Sequence, residues 1–596
     1  VSVSAAAAPA EAETTVLDVT ASLSGRRWRS RDGDPRAGLA LAQRLALPEL
    51  VGRLLAARGV GLDEAAAFLD PRLRDALPDP RQFKDMDAAV ERLVAALENA
   101  EPIAVFGDYD VDGATSAAVL AHYFAAVGCP LRIYVPDRLT EGYGPNAPAL
   151  LRLRAEGIRV VITVDCGTLA FEALEEAAAA GVDVIVVDHH AAEPRLPAAC
   201  AVVNPNRLDD ASPHGQFAAV GVTFLLAVAL NRALRDRGRF AERAEPDLMA
   251  LLDMVALGTV ADVVPLTGAN RALVAQGLKV LAQRRNVGLA ALADVAGVSE
   301  RPTAYHLGFV LGPRINAGGR VGEADMGARL LTARDPGEAR ELAERLDAYN
   351  RERRELEAVV LEEALAQAEA RADAALVVAD DGWHPGVIGI VASRLKDRYQ
   401  RPTCVVALEG DIGKGSGRSV AGVDLGAAVI AARQAGILEA GGGHKMAAGF
   451  TLRRDRLDEL RAFLDARVAD VAQIGALVPT LNVDGVIAVR GADTDLVAAL
   501  DRLAPYGAGN PEPRLALARC HIVRADVVGA DHVRCVLSDA NGGSLKAIAF
   551  RQAAEPLGQA LLNARGRALN VAGHLRADTW QGREGVQLIV DDAAWA

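Results

Sequence analysis

The chain has 596 residues, which at roughly 150 per domain points to about four domains. Hydrophobic residues make up 51% and charged residues 24%, and 65 Lys and Arg stand against 78 Asp and Glu, a net charge of -13. That balance excludes a disordered chain and a wholly basic nucleic-acid coat protein, but not a nucleic-acid enzyme with an acidic metal centre and a local basic groove.

Residues 1–45 read as a poorly structured tail, rich in Ala, Pro, Glu, Ser and Thr up to Thr15 and then carrying Arg26-Arg27-Trp28-Arg29. A helical region over 46–99 follows, broken at Pro71, Pro78 and Pro80. From Ile103 short apolar runs alternate with Ala-rich stretches, the pattern of βαβ units on a parallel sheet. The predicted strands are Ile103–Phe106, Arg132–Val135, Val160–Val164, Val184–Val187 and Ala201–Val203. Long helical patterns run from Phe217 to Arg237, from Asp247 to Val260 and from Pro336 to Ala374; the charge of the last marks a connector between domains. A second α/β segment spans 375–472 and opens with Leu376–Val378. Over 476–596 short strands and Gly/Asp turns predict a small β-barrel. Six cysteines without a CxxC pair argue against a disulfide scaffold or a zinc ribbon. The longest apolar run, Ala218 to Leu230, falls short of the roughly 20 residues a membrane span needs, and a signal-peptide pattern is missing, so the expectation is a cytoplasmic protein without a membrane partner.

The informative residues follow the predicted strands. After the first comes Asp108-Tyr109-Asp110-Val111-Asp112-Gly113, after the third Asp165-Cys166-Gly167, after the fourth Asp188-His189-His190. Loops at the carboxyl ends of parallel strands share one rim, where such sheets bind ligands. A further acid, Asp262, ends the second long helical stretch. Crowded carboxylates repel unless cations neutralise them. Carboxylates with one or two imidazoles suit Mn²⁺ or Mg²⁺, and two such ions about 4 Å apart can activate water and stabilise a leaving phosphodiester oxygen. A calcium loop is excluded because its twelfth position is Val119, not glutamate.

These motifs resemble those of the DHH phosphoesterase superfamily, and in particular its RecJ branch of single-strand-specific 5′→3′ DNA exonucleases. The resemblance implies that Asp110 and Asp165 hold one ion, and Asp112, Asp165, His189 and Asp262 the other. Asp108, which stands where other branches place a ligand histidine, joins the metal set. His190 would face the scissile phosphate and Asp188 would support the loop.

Downstream, Gly312-Pro313-Arg314-Ile315-Asn316-Ala317-Gly318-Gly319-Arg320 reads as a Gly-rich loop with two guanidiniums suited to phosphate. Gly382 to Ala392, which contains His384, reads as a loop entering a helix whose free N–H groups favour anions. Gly415-Ser416-Gly417-Arg418 and Gly442-Gly443-His444 complete the set, the latter resembling the Gly-Gly-His motif of the DHHA1 domain. The resemblance implies that Arg314, Ser416 and Arg418 grip the 5′-terminal phosphate and that His444 contacts substrate near the metals; Asn316, Arg320 and His384 join the DNA-binding set. Leu503 to Pro513 and Leu545 to Phe550 resemble segments of the RecJ OB-fold domain.

The expected architecture is a DHH domain with a parallel sheet over 100–335, a connecting helix over 336–374, an α/β DHHA1 domain over 375–472 and an OB-fold barrel over 476–596. The expected activity is metal-dependent release of 5′-mononucleotides from single-stranded DNA in recombination and repair, with a helicase and a single-strand-binding protein as implied partners. Two alternatives compete. One is a phosphoesterase for short oligonucleotides or cyclic dinucleotides; the other is an inactive single-strand binder, which the filled acidic and His positions disfavour.

Overall fold

The computed structural model describes residues 15–138, 140–472, 479–580 and 583–596. Two units form: residues 15–75, 479–506 and 510–596 in one, and 76–472 with 507–509 in the other. Of the expected unstructured tail, residues 1–14 lie outside the described residues, while 15–45 are ordered. There β1 (Arg27–Ser30) and α1 (Pro35–Leu45) precede α2 (Glu49–Ala57). Pro35 and the Asp34 carboxylate, which accepts the Arg36 N–H at 2.9 Å, start α1. The helical block expected over 46–99 is divided: residues up to 75 fold with the C-terminal unit, whereas α3 (Met86–Glu98) belongs to the other. Val90, Leu93, Val94 and Leu97 recur at helical spacing and give α3 an apolar face to bury there.

From residue 103 the apolar runs become strands buried on both faces, the condition for a parallel sheet covered by helices. β2 (Ile103–Gly107), β3 (Arg132–Tyr134), β4 (Val160–Val164), β5 (Asp183–Val187) and β6 (Ala201–Val203) run parallel in the order β3-β2-β4-β5-β6. The order reverses between β2 and β4, and that reversal opens the crevice in which such sheets bind ligands. α4 (Val111–Ala126) leaves β2 at this point; α5 (Ala219–Asp236) and α6 (Leu252–Ala261) pack against it.

The segment expected as a Gly-rich loop is a helix, α7 (Gly312–Val321), preceded by a π-helical turn over His306–Leu311. Its glycines permit contact, not turning: a Cβ on Gly319 would stand 2.8 Å from the Tyr109 carbonyl oxygen, and one on Gly318 2.8 Å from that of Glu323. The connector α8 (Pro336–Glu369) opens with Asp335 accepting the Glu338 N–H at 2.9 Å. It stops short of Ala374, where the Arg401 guanidinium binds the carbonyls of Arg371 and Asp373 at 3.4 and 3.1 Å.

The second sheet comprises β7 (Leu376–Asp381), β8 (Thr403–Glu409), β9 (Ile412–Arg418), β10 (Ala440–His444) and β11 (Ala447–Arg453), with α9 (Ile388–Tyr399) between β7 and β8. Its order is β10-β11-β9-β8-β7, and only β7 and β8 are parallel. Glycines alternate along β9 because its inner face lies against large side chains: a Cβ on Gly415 would stand 2.1 Å from the Phe450 ring. The alternation sends Ser416 and Arg418 to the opposite face.

The C-terminal strands β12 (Thr480–Val483), β13 (Gly485–Ile487), β14 (Leu515–Val528), β15 (His532–Ser538), β16 (Ser544–Ala549), β17 (Leu569–Trp580) and β18 (Arg583–Trp595) include a sheet in the order β13-β14-β15-β16-β18-β17. Pairing of β14 with β17 closes it into the expected barrel. Leu517, Val533, Leu537 and Leu588 line its core, which also takes in Val51, Leu54 and Leu55 of α2. β1 pairs parallel with β12. Trp28 is completely buried; its Nε1 donates to Asp592 Oδ2 at 3.0 Å, and Ser24 Oγ donates to Oδ1 at 2.9 Å. That contact orders the arm. No helix among the described residues is long and apolar enough to cross a membrane. Trp28→Ala removes a buried aromatic and leaves Asp592 short of a donor, so the unfolding free energy in a urea titration should fall by about 3–5 kcal/mol. A loss below about 1 kcal/mol would mean the arm is not part of the folded unit.

Candidate metal centre

Each acid is placed by the backbone that follows a strand or ends a helix. Asp110 caps α4, its Oδ1 accepting the N–H groups of Asp112 and Gly113 at 2.9 and 3.1 Å. Gly113 is required there, since a Cβ would stand 2.4 Å from the Asp108 carbonyl oxygen. The Asp112 carboxylate accepts the N–H groups of Ala219 and Val220 at 2.7 and 2.8 Å, which open α5. Asp165 follows β4 with φ +61°, a left-handed conformation unusual for a residue with a side chain. Asp262 is the C-cap of α6.

These side chains meet around His189. Its Nε2 lies 3.3 Å from Asp165 Oδ1, 3.6 Å from Asp262 Oδ2 and 3.9 Å from Asp112 Oδ2. Potential ligand atoms of Asp112, His189 and Asp262 fall within 4.8 Å of one another, as do those of Asp108, Asp110 and Asp165 and those of Asp165, His189 and His190. All six residues of the expected metal set therefore come together. Asp108 Oδ1, Asp165 Oδ1, His189 Nε2 and Asp262 Oδ2 are buried without a hydrogen-bond partner. Orphaned groups of this kind are costly, and here they converge.

The electrostatics match. Burial, and then the neighbouring acids, push the carboxyls of Asp108, Asp112 and Asp165 well above the carboxylate range. Burial and Asp110 raise Asp262 to about 7. Burial lowers His189 to about 4, so its ring is neutral and can ligate. Burial disfavours the His190 cation too, yet Asp188 Oδ1, 2.8 Å from Nδ1, raises it to about 9. Five carboxylates and one neutral imidazole, with no thiolate, form a donor set that fits Mn²⁺ or Mg²⁺.

A cationic group stands in the same unit. Arg320 is nearly buried, and burial together with Arg138, Arg353 and Arg418 lowers it to about 10; its Nη1 donates to the Gly386 carbonyl at 3.0 Å. Arg418 is lowered by burial and by Arg138, and its Nη1 donates to Ser416 Oγ at 3.3 Å. A Cβ on Gly389 would stand 3.0 Å from Ser416 Oγ and 3.1 Å from Arg418 Nη2, so glycine lets β9 meet the first turn of α9. His384, on the turn before α9, accepts the Gly386 N–H at 3.1 Å and also feels Arg138.

Not every residue of the expected phosphate set joins this group. The Arg314 Nε donates to Asp347 Oδ1 at 2.9 Å and its Nη1 to the Val310 carbonyl at 2.7 Å. Asn316 Oδ1 accepts the Val111 N–H at 3.0 Å, so it props the Asp110 turn. His444 is exposed at the end of β10 and, among the described residues, forms no ion pair with the acids. Two residues were overlooked in sequence, Arg138 and Tyr143, both on the loop that follows β3. The rule that singled out the other strand ends applies to this loop as well. Arg138 lies over the Tyr109 ring, 5.2 Å from its centroid, and the Tyr143 hydroxyl donates to the Asp165 carbonyl at 3.1 Å. After β6, Asn204 Nδ2 donates to the His190 carbonyl at 2.9 Å and steadies the His-His turn.

Known proteins resemble this chain in its domains and in its fold. The DHH family N-terminal domain matches residues 102–259, the DHHA1 domain 372–470 and the RecJ OB domain 483–592. The chain is similar to the single-stranded-DNA-specific exonuclease RecJ of Dickeya dadantii, with 38% identity over 563 residues, 92% of this chain and 96% of that one. It is 36% identical to the Escherichia coli protein of the same name over 562 residues, again 92% and 96% of the two chains. Among solved structures, RecJ in complex with Mn²⁺ from Thermus thermophilus superposes with a TM-score of 0.80 at 31% identity, covering 95% of this chain and 79% of that one. Its complex with Mg²⁺ gives 0.75 at 30% identity, covering 96% and 78%.

The shifted groups give a pH test in EDTA. Asp262 at about 7 and His190 at about 9 hold protons in the fold that the unfolded chain has released, so stability falls as pH rises from about 6.5 to 9. Urea titrations across that window should show the decline. A rise would contradict the assigned environments.

Proposed function

Since the chain belongs to the RecJ family of single-stranded-DNA-specific exonucleases, we propose that it removes 5′-mononucleotides stepwise from the 5′ end of single-stranded DNA. The observation that carries this reading is a pair of opposed charge clusters: convergent, unpartnered acids at the strand ends, and Arg138, Arg320 and Arg418, none paired with a described carboxylate. One cluster suits divalent cations and the other suits a phosphate dianion.

Asp108, Asp110 and Asp165 would hold one ion, and Asp112, Asp165, His189 and Asp262 the other, with Asp165 shared. Bound there, two divalent ions supply activation of water and charge stabilisation at the leaving oxygen. The chain's own groups do the rest. Arg320, Ser416 and Arg418, with Arg138, would take the 5′-terminal phosphate and set the register at one nucleotide. Asp188, bonded to Nδ1, keeps His190 protonated at neutral pH, so Nε2–H can donate to an oxygen of the scissile phosphate as negative charge gathers there. Asn316 and Asn204 keep the Asp110 and His190 turns in place. The strand would lie between the two α/β domains, held through its backbone with little sequence preference, and a crevice too narrow for duplex would exclude it. The barrel would add further single-strand affinity. The setting is recombination and repair in the cytoplasm, with a helicase exposing the strand and a single-strand-binding protein coating it.

The test is mononucleotide release from 5′-labelled single-stranded and blunt duplex DNA, with Mn²⁺ and with EDTA. Release from the single strand alone, absent in EDTA and in Asp165→Ala, is expected. Arg418→Ala should lower kcat/KM about 10–100-fold on a 5′-phosphorylated strand and much less on a 5′-hydroxyl strand. Binding without release would contradict the reading. Hydrolysis confined to di- or trinucleotides would favour a small-substrate phosphoesterase.

A further inference from the structure

Asp165 belongs to two of the three ligand groups, with Asp108 and Asp110 in one and with His189 and His190 in the other, and it is also the acid in a backbone conformation it does not readily keep. Its peptide is gripped on two sides. The Asp165 N–H donates to the Val187 carbonyl at 3.0 Å, the last rung between β4 and β5. Its carbonyl turns the other way and accepts the Tyr143 hydroxyl at 3.1 Å, the one side-chain donor on that carbonyl among the described residues. Rotation about the Asp165 backbone torsions would swing the carboxylate away from His189, which now stands 3.3 Å from Oδ1.

Tyr143 is itself delivered by a built loop. Gly142 and Gly144 flank it with φ of +84° and +76°, conformations natural to glycine. Glu141 anchors the loop by accepting the Tyr134 hydroxyl at 2.7 Å, the Asp137 N–H at 2.9 Å and the Arg152 guanidinium. The Tyr143 ring stands edge-to-face with His190, centroids 6.1 Å apart, and its hydroxyl lies 3.5 Å from His190 Nδ1. Half of the residue is exposed, so the ring is not there to fill a core.

We infer that Tyr143 is a positioning residue of the metal centre: its hydroxyl locks the left-handed Asp165 peptide and so keeps the shared carboxylate aimed at both ions. This rests on the proposed reading of the cluster as a two-metal site. The loop that carries the clamp also carries Arg138, so one segment ties the phosphate-binding cations to the acid that both ions share.

The test compares Tyr143→Phe with the unsubstituted chain, using Mn²⁺ alone in calorimetric titrations and then kcat and KM on a 5′-phosphorylated single strand. Loss of the hydroxyl should weaken Mn²⁺ binding about tenfold, the scale of losing a group that orients a ligand. At subsaturating Mn²⁺ kcat should fall by a similar factor, recover as Mn²⁺ is raised, and leave KM for DNA within about twofold. Mn²⁺ affinity unchanged in Tyr143→Phe would overturn the inference, as would a loss of kcat that added Mn²⁺ does not restore. If the unsubstituted chain itself took up no Mn²⁺, it is the two-metal reading that would fail.

Discussion

The burial of crowded carboxylates in one crevice is the constraint on which this site depends. Five aspartates and a neutral histidine are drawn into one crevice, and four of their polar atoms face one another without a proton donor. Such a cluster raises its own proton affinity and weakens the fold that contains it unless cations occupy it. The surrounding structure therefore has to hold each acid against its preference to move apart. It does so with backbone donors: α4's first turn holds Asp110, α5's first turn holds Asp112, and the His189 and His190 N–H groups hold Asp188. Helix N-termini favour negative charge, which suits Asp110 and Asp112 to the first turns of α4 and α5.

The same logic explains the glycines. Gly113 brings the α4 backbone against Asp108, Gly319 brings α7 against Tyr109, and Gly389 brings α9 against Ser416 and Arg418. Each removes a side chain where two elements must touch close to the chemistry. The result is a rigid acidic floor with a cationic group built from β9, α7 and the loop after β3.

Much of this was legible in sequence because the relevant signals are local. Strands buried on both faces read as continuous apolar runs, and Asp108, Asp110, Asp112, Asp165 and His189 follow them directly, so the parallel sheet and the acidic cluster at its strand ends could be read without a structure. What was not legible depends on distant partners. Arg26-Arg27-Trp28-Arg29 looks solvated until Asp592 receives the indole N–H from 564 residues away. Arg314 reads as an unpaired guanidinium, and only the folded chain brings Asp347 to its Nε. The Gly-rich stretch 312–320 imitates a loop because glycine serves close packing as well as turning, and only the neighbouring Tyr109 distinguishes the two. Arg138 and Tyr143 stood at a strand end like the other site residues, but neither sits in an acidic motif that drew attention to it.

The claim on which the rest stands is that the orphaned acids hold two cations with Asp165 between them. Electron paramagnetic resonance of the full chain titrated with Mn²⁺ addresses it directly. The account predicts two Mn²⁺ per chain with an exchange-coupled spectrum, reduced to at most one uncoupled ion in Asp165→Ala. A single, uncoupled Mn²⁺ in the unsubstituted chain would contradict it.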